Sequence, residues 1–182
     1  RSLMVLVDKS MKMVNILKCL QYRLRRKSLE ILYLNFIRPT LEYGSIIWDG
    51  CTFTQSKQLE NIQLAAARVV TGATRGTSHN LIYDEVGLET LSERRRKAKL
   101  IHFYKIVYGD APQYLRNLVP EPTSQRLKSR GIFPEISASR EYFRSSFFPS
   151  VIGLWNELPI DIRKAESCEE FRAKLNRNAK VK

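Results

Sequence analysis

Residues Arg38 to Trp48 read RPTLEYGSIIW, which sets a proline between two apolar blocks that otherwise keep helical spacing. Upstream of the proline, Leu29, Leu32, Tyr33, Phe36 and Ile37 share one helix face with Thr40, Leu41 and Gly44, and Ser28 suits the N-cap. Proline inside a helix removes one backbone hydrogen bond and crowds the preceding turn, at a cost of about 3 kcal/mol unless packing compensates. The pattern therefore predicts a bent helix kinked near Arg38, with Tyr43, Ile47 and Trp48 beyond the bend closing one end of a core.

Working outward, Met13, Leu17, Leu20 and Leu24 recur at helical spacing and end in the charged run RLRRK. Downstream, Thr54 or Ser56 can cap a helix whose face is Leu59, Ile62, Ala66, Val69 and Val70, and Gly72 suits its left-handed end. A short helix over Leu81 to Val86 leads to Thr90-Leu-Ser-Glu93, a capping box that opens a long helix to Gly109. Its apolar stripe is Leu100, Ile101, Tyr104, Val107 and Tyr108.

The proline-bearing, polar stretch from Val119 to Gly131 reads as a linker or extended arm. Beyond it, GIFPEI (131–136) and REYFRSSFF (140–148) read as two short extended segments forming a β-hairpin. Two helices follow, one opening at Pro149 with Val151, Ile152, Trp155 and Leu158, the other capped by Ser167 with Phe171 and Leu175 inward. The expected fold is mainly α: a helical bundle over 1–118, a linker over 119–130, and a small α+β module over 131–182.

Thirty-one lysines and arginines against 18 acids give the 182-residue chain a net charge of +13, which favours a polyanionic partner. The excess is positive in every quarter of the sequence, so no single basic tail supplies it. Three scattered cysteines, Cys19, Cys51 and Cys168, form neither a disulfide framework nor a zinc knuckle. No apolar run approaches the roughly 18 residues of a membrane span, so the expected setting is intracellular, nucleus or cytoplasm, with no membrane partner.

The residues for catalysis are not assembled in sequence. Two-metal chemistry needs clustered carboxylates, and Asp8, Asp49, Asp84, Asp110 and Asp161 are dispersed. The acidic pairs Asp84-Glu85 and Glu169-Glu170 read as helix-end charges, and His79 and His102 lack partners spaced as metal ligands. The loop Gly72-Ala-Thr-Arg-Gly76 is too short between its glycines for a phosphate-binding loop, and no cofactor motif is present. What remains is cationic. Arg23, Arg25, Arg26 and Lys27 stand at one helix end, and Arg94, Arg95, Arg96, Lys97 and Lys99 in the first turns of another. Either cluster reads as a solvated face or as a phosphate contact. Arg95 and Lys99 share one helix stripe, and Arg38 stands at the bend.

The succession IRPTLEYGSIIWD (37–49), LENIQLAAARVVTG (59–72), LSERRRKAKLIHFYKIVYGDAPQYL (91–115), YFRSSFFPSVIGLWNELP (142–159) and SCEEFRAKL (167–175) resembles the C-terminal region of jockey-like, LINE-type non-LTR retrotransposon reverse transcriptases. The resemblance covers nearly the whole chain. It implies the thumb and post-thumb part of an RNA-directed DNA polymerase, which holds an RNA/DNA template and primer duplex during target-primed reverse transcription. It also implies a palm and fingers upstream as partners, with the paired catalytic aspartates there and none in this chain. The implied role is non-catalytic, with no cofactor and no metal site. A domesticated helical protein-interaction module, or a non-functional truncated element copy, is the alternative.

Overall fold

In the computed structural model, described over residues 2–45, 52–109, 111–137 and 139–179, the chain is mainly helical, and no β-strand occurs among the described residues. The order is α1 (Ser2–Leu20), α2 (Arg26–Leu32), a π-helical turn (Tyr33–Ile37), α3 (Arg38–Glu42), α4 (Phe53–Thr71), α5 (His79–Val86), α6 (Leu91–Tyr108), α7 (Gln113–Arg116), α8 (Gln125–Arg130), α9 (Glu141–Arg144), α10 (Phe147–Asn156), α11 (Ile160–Arg163) and α12 (Cys168–Ala179).

Around Pro39 the helix is relieved rather than broken. The five residues before Arg38 form the wider π turn, with the Arg38 N–H reaching back to the Tyr33 carbonyl. Pro39 follows directly, so its missing N–H and the crowding of its ring fall on the widened turn rather than on a regular α-helical one. Two side chains serve carbonyls nearby: Asn35 Nδ2 donates to Ile31 O at 2.8 Å and Thr40 Oγ1 to Phe36 O at 2.8 Å. Gly44 turns the chain at φ 64°, a left-handed conformation that suits glycine. This turn carries Tyr43 out of the core, where it is 76% exposed, contrary to the expected burial. Ile47 and Trp48 lie outside the described residues.

The chain forms two units, Arg1–Arg95 and Arg96–Lys182, dividing within α6 and not at residues 119–130. Part of that expected linker is helical, as α8, and Val119 packs on the second unit's core. The first core joins Val14 and Leu17 of α1 to Leu29, Tyr33, Ile37 and Leu41, and to Leu59, Ile62, Ala66 and Val70 of α4. α4 starts at Thr52, whose hydroxyl accepts from Gln55 N while Gln55 Oε1 accepts from Thr52 N, and ends at left-handed Gly72. Ser28, by contrast, is no cap: α2 opens two residues earlier, after Arg25.

The second core gathers Leu100, Phe103 and Tyr104 of α6, Phe133, Val151, Ile152 and Trp155 of α10, and Phe171 and Leu175 of α12. Trp155 is fully buried, 5.2 Å from the Phe103 ring and 5.4 Å from Phe171 between centroids, so it is a packing residue.

Among the described residues the β-hairpin expected after Gly131 is not formed: residues 141–144 and 147–156 are helical, and residues 132–137 have no regular secondary structure. A side chain takes the place of a strand: Phe133 N donates to Asn156 Oδ1 at 3.1 Å, and Asn156 Nδ2 donates to Phe133 O at 2.8 Å. Both backbone groups are thereby satisfied, and of the aromatic run at 142–148, Phe147 and Phe148 pack against the second core while Tyr142 and Phe143 stay exposed.

Candidate nucleic-acid interface

The joint between α1 and α2 is built by a tight turn. Arg23 N and Leu24 N both bond the Leu20 carbonyl, at 2.9 and 3.0 Å, and α2 begins only after Arg25, whose extended backbone makes no side-chain cap. Five consecutive or near-consecutive side chains therefore splay outward: Tyr22, Arg23, Arg25, Arg26 and Lys27 are all exposed. Arg26 is engaged, with Nη1 2.5 Å from Glu85 Oε1 and Nη2 3.1 Å from Glu85 O. Arg23, Arg25 and Lys27 have no ion pair among the described residues.

Beside this joint the last turns of α1 and α4 enclose a groove of about 510 Å³. Lys18, Gln21 and Tyr22 line it from α1 and the turn, and Arg68, Arg75, Ala65, Val69, Gly72 and Ala73 from α4 and the loop after it. Gly72 makes the groove possible: at φ 72° it caps α4 through its N–H to Arg68 O at 2.9 Å and reverses the chain, so that Arg75 joins the lining. Among the described residues, three cations line this space and no acid does. Lys18 and Arg68 stand in the last turns of their helices, where the carbonyl ends attract positive charge. Arg75 has no such helix-end partner. Nor does Tyr22 have a packing reason for its place, at 89% exposure.

The second cationic cluster lies differently from its sequence expectation. Arg94 is paired with Glu42 through its Nε, and that hydrogen bond first of all holds the guanidinium pKa above its ordinary value. Arg95 is 7% exposed, with Nη2 2.6 Å from Ser56 Oγ. Lys99 is 1% exposed and bonded to Ser150, and Lys97 is buried as well. Arg95 and Lys99 thus do not form an exposed phosphate-facing stripe. The reason is the register of α6: Leu91, Arg95, Lys99 and Phe103 stand four apart in succession, and Leu91 and Phe103 are core residues. Long aliphatic stems let the cations cover apolar surface while their heads find hydroxyls. Arg38 is half-buried near Tyr33. His102 rests edge-on against Phe147, and burial lowers its pKa.

Of the expected contacts, the structure keeps Arg23, Arg25 and Lys27 exposed at one joint, ties Arg26 to α5, and turns Arg95 and Lys99 inward. Sequence reading missed Lys18, Tyr22, Arg68 and Arg75. The available signal was AAAR followed by Gly72 and Arg75, a helix end with cations on both sides of its turn. Among the described residues, no helix is long and apolar enough to cross a membrane. No family model, no curated protein and no solved structure matches this chain.

Proposed function

We propose that this chain is the thumb and post-thumb region of a jockey-like, LINE-type reverse transcriptase, a non-catalytic segment that holds an RNA/DNA duplex through its phosphates. The five ordered sequence blocks support the reading, as does a mainly helical chain carrying net charge +13. The single observation that carries it is the exposed cationic joint of Arg23, Arg25 and Lys27, charges that are neither buried nor ion-paired among the described residues. Phosphate contacts of this kind release counterions and carry no base information. In this reading the palm, the fingers and the paired catalytic aspartates belong to the parent polymerase, and the working compartment is that of the nucleic acid, nucleus or cytoplasm.

Fluorescence anisotropy of a labelled RNA/DNA duplex, titrated at several salt concentrations, tests the proposal. Glutamine at positions 23, 25 and 27 together is expected to weaken binding equally across sequences and to reduce the log-log salt slope by about 2.7, from about 0.9 per contact. Duplex binding that ignores salt, or is unchanged in the triple variant, overturns it.

A further inference from the structure

We infer that the groove between the ends of α1 and α4 is a binding site for an unpaired polynucleotide strand, with Tyr22 as the stacking platform and Lys18, Arg68 and Arg75 as the phosphate contacts. This deepens the nucleic-acid reading above and rests on it. A strand of this kind needs two surfaces that a duplex does not use together: cations along its backbone and a bare aromatic face for a base. Tyr22 supplies the face. It is 89% exposed at the lip of the groove, in a turn where nothing in the packing requires an aromatic ring. Ala65, Val69 and Ala73 supply apolar lining against which a base can lose water, while Gln21 offers an amide to a base edge. The cations complete the site. Arg68 lines the groove and meets no carboxylate there, and its Nε has no hydrogen-bond partner among the described residues, so no bond of that nitrogen ties the guanidinium away from a phosphate.

Size decides between strand and duplex. A space of about 510 Å³ has the volume of a small-molecule pocket and admits splayed bases, but not the body of a double helix. The duplex phosphates are left to Arg23, Arg25 and Lys27, which follow Tyr22 directly along the chain. The joint would then hold a junction, with duplex on its cationic outer face and the unpaired continuation in the groove.

Anisotropy with labelled oligouridine, oligothymidine and a blunt RNA/DNA duplex, each about a dozen nucleotides long and so within the usual site size, tests the inference on the full chain. Tyr22→Ala is expected to weaken binding of the single strands by about fivefold to a hundredfold, with the salt slope unchanged and the duplex unaffected. Tyr22→Phe keeps the ring and is expected to bind as the parent does. Arg68→Gln with Arg75→Gln is expected to lower the single-strand slope by about 1.4, from about 0.7 per contact. The two single strands report whether the site separates RNA from DNA, and loss at Tyr22→Ala on either one supports the site. Because Tyr22 is exposed, an unchanged melting temperature separates lost stacking from lost folding. Single strands that bind Tyr22→Ala as tightly as the parent, or fail to bind while the duplex binds, overturn the groove and leave the duplex reading standing. Binding of single strands with no duplex binding does the reverse, and failure of both removes both.

Discussion

The ammonium of Lys99 on α6 donates to the hydroxyl of Ser150 on α10 at 2.8 Å, and that hydroxyl donates in turn to the Ser146 carbonyl at 2.5 Å. A cation that sequence places in a basic run thus ends on a hydroxyl and carbonyl relay inside the second unit. Charge-assisted bonds of this sort are stronger than neutral ones, and their loss leaves buried polar atoms to be paid for.

Arg95→Gln and Lys99→Gln are accordingly expected to act on stability rather than on nucleic acid. Lys99→Gln should cost roughly 1 to 3 kcal/mol in urea denaturation, and neither variant should change the salt slope of duplex binding. A slope reduced by about two in the double variant, with stability intact, would contradict their inward placement.

Trp155 anchors the same unit through its indole N–H, which donates to Gly131 O at 2.8 Å, as well as through its ring contacts. Trp155→Ala should cost about 3 to 5 kcal/mol through the cavity it leaves, a large part of the stability of any domain. Trp155→Phe should cost less, keeping most of the apolar area but stranding the Gly131 carbonyl. Denaturation followed by far-ultraviolet circular dichroism measures both, and an alanine variant as stable as the parent would count against the fully buried ring.

Alkaline pH should loosen the first unit. Tyr33 donates to Gln63 Oε1 at 2.7 Å, Gln63 passes a hydrogen to Glu89 O at 2.9 Å, and Tyr83 donates to Glu60 Oε1 at 2.7 Å. Burial is the main cause holding both phenols well above their usual value of 10.0. Unfolding therefore lowers the pKa, so above about pH 10 the unfolded chain loses protons that the folded chain keeps, and stability falls as pH rises. Below about pH 10 this contribution is fully present. Tyr33→Phe and Tyr83→Phe together should flatten the decline seen in melting temperature between neutral and strongly alkaline pH; an equal decline in the double variant would place its origin elsewhere.

The start of α4 offers a smaller, local test. Thr52 and Gln55 bond each other's backbone N–H reciprocally, at 3.4 and 3.0 Å. Thr52→Ala should cost about 1 kcal/mol, and Thr52→Ser almost nothing, by thermal or urea denaturation. An alanine variant without loss would mean the cap is dispensable beside the packing of α4.

Local chemistry in the sequence determined the helices themselves. Periodic apolar residues placed Leu59, Ile62, Ala66 and Val70 of α4 on one buried face, Gly72 ended that helix, and Thr90 and Ser167 capped theirs, because caps and periods act within a few residues. The absence of a hairpin was not legible there. An aromatic run such as 140–148 suits a strand or a helix equally, and Asn156, distant in sequence, supplies the bonds a partner strand would have given. The candidate site divides in the same way. The exposed run Arg23, Arg25 and Lys27 was visible as charge beside a helix end, whereas the groove needed Lys18 and Arg75, 57 positions apart, to be brought to one opening. Whether a lysine meets water or a serine is decided by which face of its helix the core claims, and for Lys99 only tertiary packing settled that.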